Sequence, residues 1–422
     1  MDKMIGSEVP DSLLPTHTRK TLGAMKAQRM VKRMTLNPSE AKPGETLYVR
    51  VPKQGENEVI VPGPLALRFN INLSGGHANN FLVQNVSRAL VSDMKVKFGT
   101  TILQDIDGYD IFKIYEDLFL SQEQRDNMLL EGIQSEDLTK IRSNAGDKKT
   151  SGVDAEKKLN EIYRTKYIIR LDNEILTDHG VFYPKALYEV LSFEVILSKA
   201  SQVVKGSDNT KLNYRLTNIQ LEYEMIRSEL LAEEARSVYS SSKEFAYDYV
   251  QYDKKVTLEK GSDTRVNINV DFQRRSMKAI LLFFIDPYLP GTRDSEKYVF
   301  PNLTKVRVTI NGKSNMIYDQ GIVSTDLWAE TSRFLVREKH KTEHMGLKLF
   351  FTGDRFGLVI DLRSMADRTM HGSGTRLVNS TDGVQLELDR TATRSGKLDC
   401  MIFLVADGQF NILGNQLESV QH

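Results

Sequence analysis

Short stretches in which apolar and polar residues alternate recur through most of the 422-residue chain. Alternation over about four to eight residues, broken by Gly, Pro and Asn, is typical of half-buried β-strands. In the first half it predicts strands at 46–52, 65–73, 81–86, 93–98, 166–171, 191–198 and 211–226. In the second half it predicts strands at 245–252, 255–259, 264–272, 278–286, 303–310, 313–320, 357–363, 383–390, 397–407 and 410–413.

Helical periodicity interrupts this strand pattern at a few points. Residues 107–120 carry apolar side chains on one stripe, and 325–335 form a short helix with Thr325 as a plausible N-cap. The segment 227–241 contains no Gly or Pro and lies near the midpoint of the chain. It therefore predicts a helix that connects two domains.

The dipeptide Asn311-Gly312 separates two strand patterns. Because both residue types accept positive φ, the pair predicts a two-residue type I′ turn of a hairpin. Gly312 also begins Gly-Lys-Ser, the end of a Walker A phosphate loop. The earlier glycine of that motif would be position 307, which is Arg307, so the turn is the better interpretation.

Four short similarities occur in the same order in the two halves, at offsets of about 200 residues. The pairs are RFNINL (68–73) with RVNINV (265–270), MKVKF (94–98) with TKVRV (304–308), the helical segments 109–119 and 325–334, and the Lys-Leu strand openings at Lys211 and Lys397. Each match is weak alone, but the shared order predicts a duplicated domain.

These patterns together predict an all-β fold, mainly β with short inserted helices. Many short strands without strand–helix alternation indicate a sandwich, and about eight strands per half indicate a double jelly roll: two eight-stranded β-sandwich domains in one chain. The predicted divisions are a basic N-terminal arm (1–44), a first jelly roll (45–226), a helical connector (227–242), a second jelly roll (243–414) and a C-terminal tail (415–422).

The stretch 16–34 of the arm is basic and contains no acid. Its six positive charges belong to Arg19, Lys20, Lys26, Arg29, Lys32 and Arg33. Two interpretations stay open: a solvated tail, or a segment that orders against a neighbouring subunit, nucleic acid or an anionic membrane face.

Composition narrows the choice of function. Lys and Arg total 57 against 56 Asp and Glu, a formal net charge of +1, so contact with nucleic acid would have to be local. The single cysteine, Cys400, excludes a disulfide framework or a four-cysteine zinc site within the chain. No secretory signal and no run of about 18 apolar residues is present, so we expect a protein that is neither secreted nor transmembrane.

Motifs for catalysis are absent from the sequence. His340 and His344 have a spacing that could share a metal on a helix, but no third histidine lies nearby in this charged stretch. We therefore expect no catalytic residue, cofactor, metal site or small-molecule substrate. Two rival functions remain: a glycan-acting enzyme with an acid-lined cleft between two jelly rolls, and a carbohydrate-binding or adhesion protein with exposed aromatic residues or calcium loops.

Several segments resemble the major capsid proteins encoded by Polinton (Maverick) elements and their adintovirus relatives. They are LEYEMIRSELLAEEARSVY (221–239), FPNLTKVRVTINGKSNMIYDQGI (300–322), IDLRSMADRTMHGSGTRLVNSTDGVQLELD (360–389) and LVADGQFNILGNQLESVQH (404–422).

This resemblance implies a structural protein of the virion. Its chains would form pseudo-hexameric homotrimers that tile an icosahedral shell around double-stranded DNA, with a separate single jelly-roll (penton) protein at the vertices. It further implies synthesis in the host cytoplasm and assembly there or in the nucleus. The family has no catalytic motif to transfer.

Overall fold

The computed structural model describes residues 27–422 except 54, 75–79, 135–138, 140–141, 143–157, 159–160, 172–174, 177–178, 207–211, 273, 315–319, 336–344, 364–373, 379–382 and 394. The strands are β1 (Gln28–Thr35), β2 (Thr46–Arg50), β3 (Glu58–Ser74), β4 (Phe81–Leu82), β5 (Val91–Phe98), β6 (Thr101–Asp107), β7 (Lys166–Arg170), β8 (Leu191–Leu197), β9 (Val204–Lys205), β10 (Asn213–Arg227), β11 (Lys243–Glu259), β12 (Arg265–Val270), β13 (Met277–Ile285), β14 (Leu303–Ile310), β15 (Lys313–Ser314), β16 (Ile322–Val323), β17 (Gly357–Asp361), β18 (Val384–Arg390), β19 (Lys397–Leu413) and β20 (Gln416–Gln421).

Short helices connect or cover these strands. The α-helices are α1 (Val86–Ala89), α2 (Tyr109–Asp117), α3 (Gln122–Asn127), α4 (Ala200–Val203), α5 (Glu229–Ser241), α6 (Leu327–Leu335) and α7 (Leu347–Thr352), and the 3₁₀ turns are Leu129–Glu131 and Pro184–Ala186. Helix α5 links the two halves, and its N-cap Ser228 accepts a hydrogen bond from the backbone N–H of Leu231.

Each half is an antiparallel sandwich of two sheets, each built on a path of four strands. In the second half each sheet has a fifth strand, because β20 pairs with β19 and β16 pairs with β14. In the first half the sheet orders are β1-β10-β3-β7 and β2-β8-β5-β6, and in the second they are β11-β19-β13-β17 and β12-β18-β14-β15. We call the eight strands in these two paths the principal strands and number them along the chain within each half. The two halves then have the same order: first-eighth-third-sixth in one sheet and second-seventh-fourth-fifth in the other. This is the jelly-roll order, so the predicted fold class, a double jelly roll, is confirmed.

Three of the four internal similarities fall on equivalent elements. The second pair lies on β5 and β14, each the fourth principal strand, and the matched helices are α2 and α6. The last pair opens β10 and β19, although Lys211 itself lies outside the described residues. The first match is wrong, because RFNINL lies in β3 and RVNINV in β12, a third and a second strand. Alternating residues of similar type produced that likeness without equivalent positions.

The prediction that no strand precedes Thr46 is also wrong. Strand β1 pairs with β10 along its whole length, from Gln28 opposite Arg227 to Thr35 opposite Gln220. It is an edge strand with most of its side chains exposed. It therefore lacks the buried face on which strand prediction depends.

Two predicted strands of the second half are a single strand, β11, with a bulge between Tyr252 and Lys254. The bulge interrupts the alternation and explains why the sequence pattern breaks there. In the β14–β15 hairpin, Ile310 pairs with Lys313. The loop residues Asn311 and Gly312 have φ of 54° and 72°, and a type I′ turn requires positive φ at both positions.

Candidate assembly surfaces

The two jelly rolls meet where helix α2 of the first packs on a sheet of the second. The N-cap residue of this helix is Gly108, whose φ is +67° and where an added Cβ would lie 3.2 Å from the Phe403 ring. Glycine satisfies both the left-handed backbone and the close approach. The apolar stripe of helix α2 therefore lies directly against the second jelly roll.

Aromatic rings fill this junction. The Phe112 ring centroid lies 5.7 Å from that of Phe403, and the Tyr115 centroid lies 4.5 Å from Phe283 and 4.9 Å from Tyr298. Tyr115 and Phe283 are fully buried. Rings at such separations bury large apolar areas and pack favourably edge to face or tilted.

Two buried ion pairs cross the junction. Arg293 lies 2.5 Å from Asp110, and Arg125 lies 2.7 Å from Glu296. Burial raises the pKa of Asp110, and the positive charge and hydrogen bond of Arg293 oppose that rise. Removing one member of such a pair would leave an uncompensated charge in the interior.

Hydrogen bonds to the backbone fix the relative position of the halves. Tyr247 donates to the carbonyl of Leu103 at 2.6 Å, and Tyr298 donates to that of Ile111 at 2.7 Å. A glycan-acting enzyme would need an acid-lined cleft here. The described junction is instead packed with rings and paired ions, as expected of a rigid two-domain block.

Three of the predicted arm cations lie in β1 and are paired with carboxylates. Arg29 pairs with Glu224, and Arg33 lies 2.6 Å from Glu222. Lys32 lies 3.4 Å from the carboxylate of Glu58, on β3. The acids missing from the basic stretch itself are thus supplied by neighbouring strands. Arg19, Lys20 and Lys26 lie outside the described residues.

The junction residues were not identified from the sequence. Asp110 and Arg293 are separated by 183 positions, and nothing local marks them as partners. The signal for β1 was stronger: Glu222 and Glu224 are two residues apart in β10, and Arg29 and Arg33 are four residues apart in β1, so each pair lies on one face of its strand. A search for complementary charges on two alternating segments could have paired them.

Two other features of the described part of the chain bear on function. Its longest helix, α5 with 13 residues, falls short of the roughly 20 apolar residues that a membrane-spanning helix needs. No group of three His, Cys, Asp or Glu side chains is placed there to hold a metal ion, and His340 and His344 lie outside the described residues.

Comparison with known proteins gives matches at the level of structure. No protein-family model and no curated protein matches the chain. VP54 of PBCV-1, as fitted into a cryo-EM reconstruction of the virophage Sputnik, matches with a TM-score of 0.60 and 12% identity, over 95% of this chain and 98% of that chain.

Two further solved structures match over nearly their full length. The quasi-atomic model of the PBCV-1 capsid gives a TM-score of 0.56 at 11% identity, covering 95% of this chain and 98% of that one. The Faustovirus major capsid protein gives 0.50 at 7% identity, covering 94% and 92%. The chain therefore has the fold of double jelly-roll viral capsid proteins.

Proposed function

We propose that the protein is a viral major capsid protein, a structural subunit without enzymatic activity. The observation that carries this proposal is the junction: two jelly rolls of identical strand order are locked into one block by buried rings and ion pairs. The full-length fold likeness to viral capsid proteins supports it.

The chains would associate as homotrimers of pseudo-hexagonal outline that tile an icosahedral shell around double-stranded DNA. Three copies of a duplicated domain supply six similar blocks, and cyclic closure satisfies their interfaces. A net charge of +1 suits dense packing, because strongly charged capsomers would repel one another.

The finer parts of the proposal concern partners and origin. The partners are neighbouring capsomers, a single jelly-roll penton protein at the vertices, and the genome or an internal membrane. The protein would reside in the virion, after synthesis in the host cytoplasm and assembly there or in the nucleus. Its sequence resemblance supports an origin in Polinton (Maverick) or adintovirus-type elements.

The residues that precede β1 keep a proposed role in assembly. Arg29, Lys32 and Arg33 belong to β1 and pair with carboxylates of the neighbouring strands. The contact with an anionic partner is therefore assigned to Arg19, Lys20 and Lys26, which precede that strand.

The test is the mass of the purified full chain by light scattering, followed by negative-stain microscopy. We expect a trimer with a hexagonal outline. A monomer at all concentrations, or turnover of a glycan that an active-site substitution abolishes, would contradict the capsid assignment.

A further inference from the structure

A basic cavity opens on the first jelly roll, on the face of the β1-β10-β3-β7 sheet turned away from the core. Its volume is about 200 Å³. It lies beside a bulge in β10 between Thr217 and Gln220. The polar side chains that line it are Arg33, Arg68, Asn70, Lys166, Asn218 and Gln220.

Positive charge in this cavity exceeds negative charge. Glu222 is the carboxylate that pairs with its arginines, at 2.6 Å from Arg33 and 2.9 Å from Arg68. Three cations against that one carboxylate leave a formal charge of +2. Within the described part of the chain, the Lys166 ammonium has no ion-pair partner and the Asn70 side-chain amide has no hydrogen-bond partner.

Unused hydrogen-bond donors surround the cavity. Arg33 gives Glu222 only its Nε, and Arg68 gives it only Nη1. Each guanidinium has five N–H donors, so several on each arginine stay available. Guanidinium, ammonium and amide donors around a concave space are the usual ligands of a phosphate group.

We propose that this cavity binds a phosphate group of the nucleic-acid backbone. A lipid surface would need apolar side chains that enter the bilayer interface. The apolar residues of the cavity, Phe69 and Tyr167, are only 3% and 1% exposed and offer no such surface. The identity of the partner as packaged nucleic acid rests on the capsid function proposed above.

Lys166 and Asn70 allow a test that leaves the β1 ion pairs intact. The full chain, with Arg19, Lys20 and Lys26 replaced by Gln to remove the arm contribution, is titrated into a fluorescein-labelled DNA duplex from about 50 to about 200 mM salt. In that background Lys166→Gln removes a donor, and Asn70→Asp adds a negative charge. Lys185→Gln is the matched control, because it removes an exposed charge that does not line the cavity.

We expect Asn70→Asp to weaken DNA binding about tenfold or more, and Lys166→Gln to lower the slope of log affinity against log salt by about 0.9. Inorganic phosphate should compete, and Lys185→Gln should bind like the parent. Equal DNA binding by all variants at unchanged melting would overturn the phosphate site. The phosphate site on nucleic acid would also be overturned if the cavity variants lost binding to vesicles of anionic phospholipid and kept their DNA binding. Because trimer mass is measured on the same samples, a trimer without DNA binding refutes this site alone, whereas a monomer refutes the capsid assignment.

Discussion

Arg293 and Asp110 form an ion pair of 2.5 Å across the junction of the two jelly rolls, with only 7% and 6% of their side chains exposed. Arg293 also donates to the carbonyl of Gln202 at 3.2 Å. One guanidinium thus contacts two separate parts of the first half from a loop of the second. The pair makes the mutual position of the domains sensitive to single substitutions.

Replacing Arg293 with Ala should lower the free energy of unfolding by about 3–5 kcal/mol, because Asp110 would stay buried without its partner. Denaturant unfolding of the purified chain measures this loss. Arg265→Ala is the control, since it removes a pair with Asp389 in which the arginine is 60% exposed, and it should change stability little. Similar losses for both variants would show that the junction pair has no special role.

Removal of the residues before β1 should be tolerated, and removal of β1 should not. A chain that begins at Ala27 should melt like the full chain, yet give fewer ordered particles if the arm contacts an anionic partner. A chain that begins at Pro43 should melt at a lower temperature, because β10 loses its ladder with β1, Glu224 loses Arg29 and Glu222 keeps only Arg68. The sequence alone, which places residues 1–44 outside the first jelly roll, predicts unchanged melting for the second truncation as well. Thermal melting of both chains distinguishes the two expectations.

Stability in acid should depend on Glu58, which is buried beside Arg227 at 2.7 Å. The hydrogen bond from Arg227 lowers the pKa of Glu58 below its ordinary value of 4.5. A depressed pKa in the folded state adds stability above pH 4.5 that disappears as the pH falls through the folded-state pKa. The stability difference between the wild type and Glu58→Gln should therefore shrink below pH 4.5. The same measurement on Glu56→Gln, which removes an exposed carboxylate, should show no such trend.

Gly312→Val should destabilise the second jelly roll by about 1–2 kcal/mol, because a β-branched residue resists the φ of +72°. No atom lies within 4 Å of a Cβ built at Gly312, so the cost would be conformational. Gly383→Val is a close control, since its Cβ also meets open space and its φ is not in the left-handed region. Equal unfolding midpoints for the two variants would refute the turn assignment.

Sequence patterns predicted the fold well wherever burial of one face decided the structure. Strand β8, LSFEVIL, alternates strictly between buried and half-exposed residues, and it was found with nearly its correct bounds. Strand β1 was missed because charge pairs with β10 stabilise it instead of a buried stripe. Such pairs join segments almost 190 residues apart, beyond the reach of any local pattern.

The junction was beyond sequence reasoning for a related reason. In β13, Phe283 contacts Phe112 and Tyr115 of the first jelly roll, whereas Phe284 on the opposite face contacts Phe356. The strand is therefore apolar on both faces, and its continuous apolar run is visible in the sequence. Which partner covers each face depends on how the domains pack, and that information is not local.

Helix α2 of the first jelly roll packs on strands β13 and β19 of the second, so the junction joins a helix face to a sheet face and has a direction. In a ring of three chains, half of the contacts between neighbouring jelly rolls would be of this tethered kind. The other half would form between separate molecules and follow mass action, whereas the tethered contacts do not depend on concentration. Dilution of such a ring should therefore open only the contacts between molecules and release intact two-domain chains, never single jelly rolls.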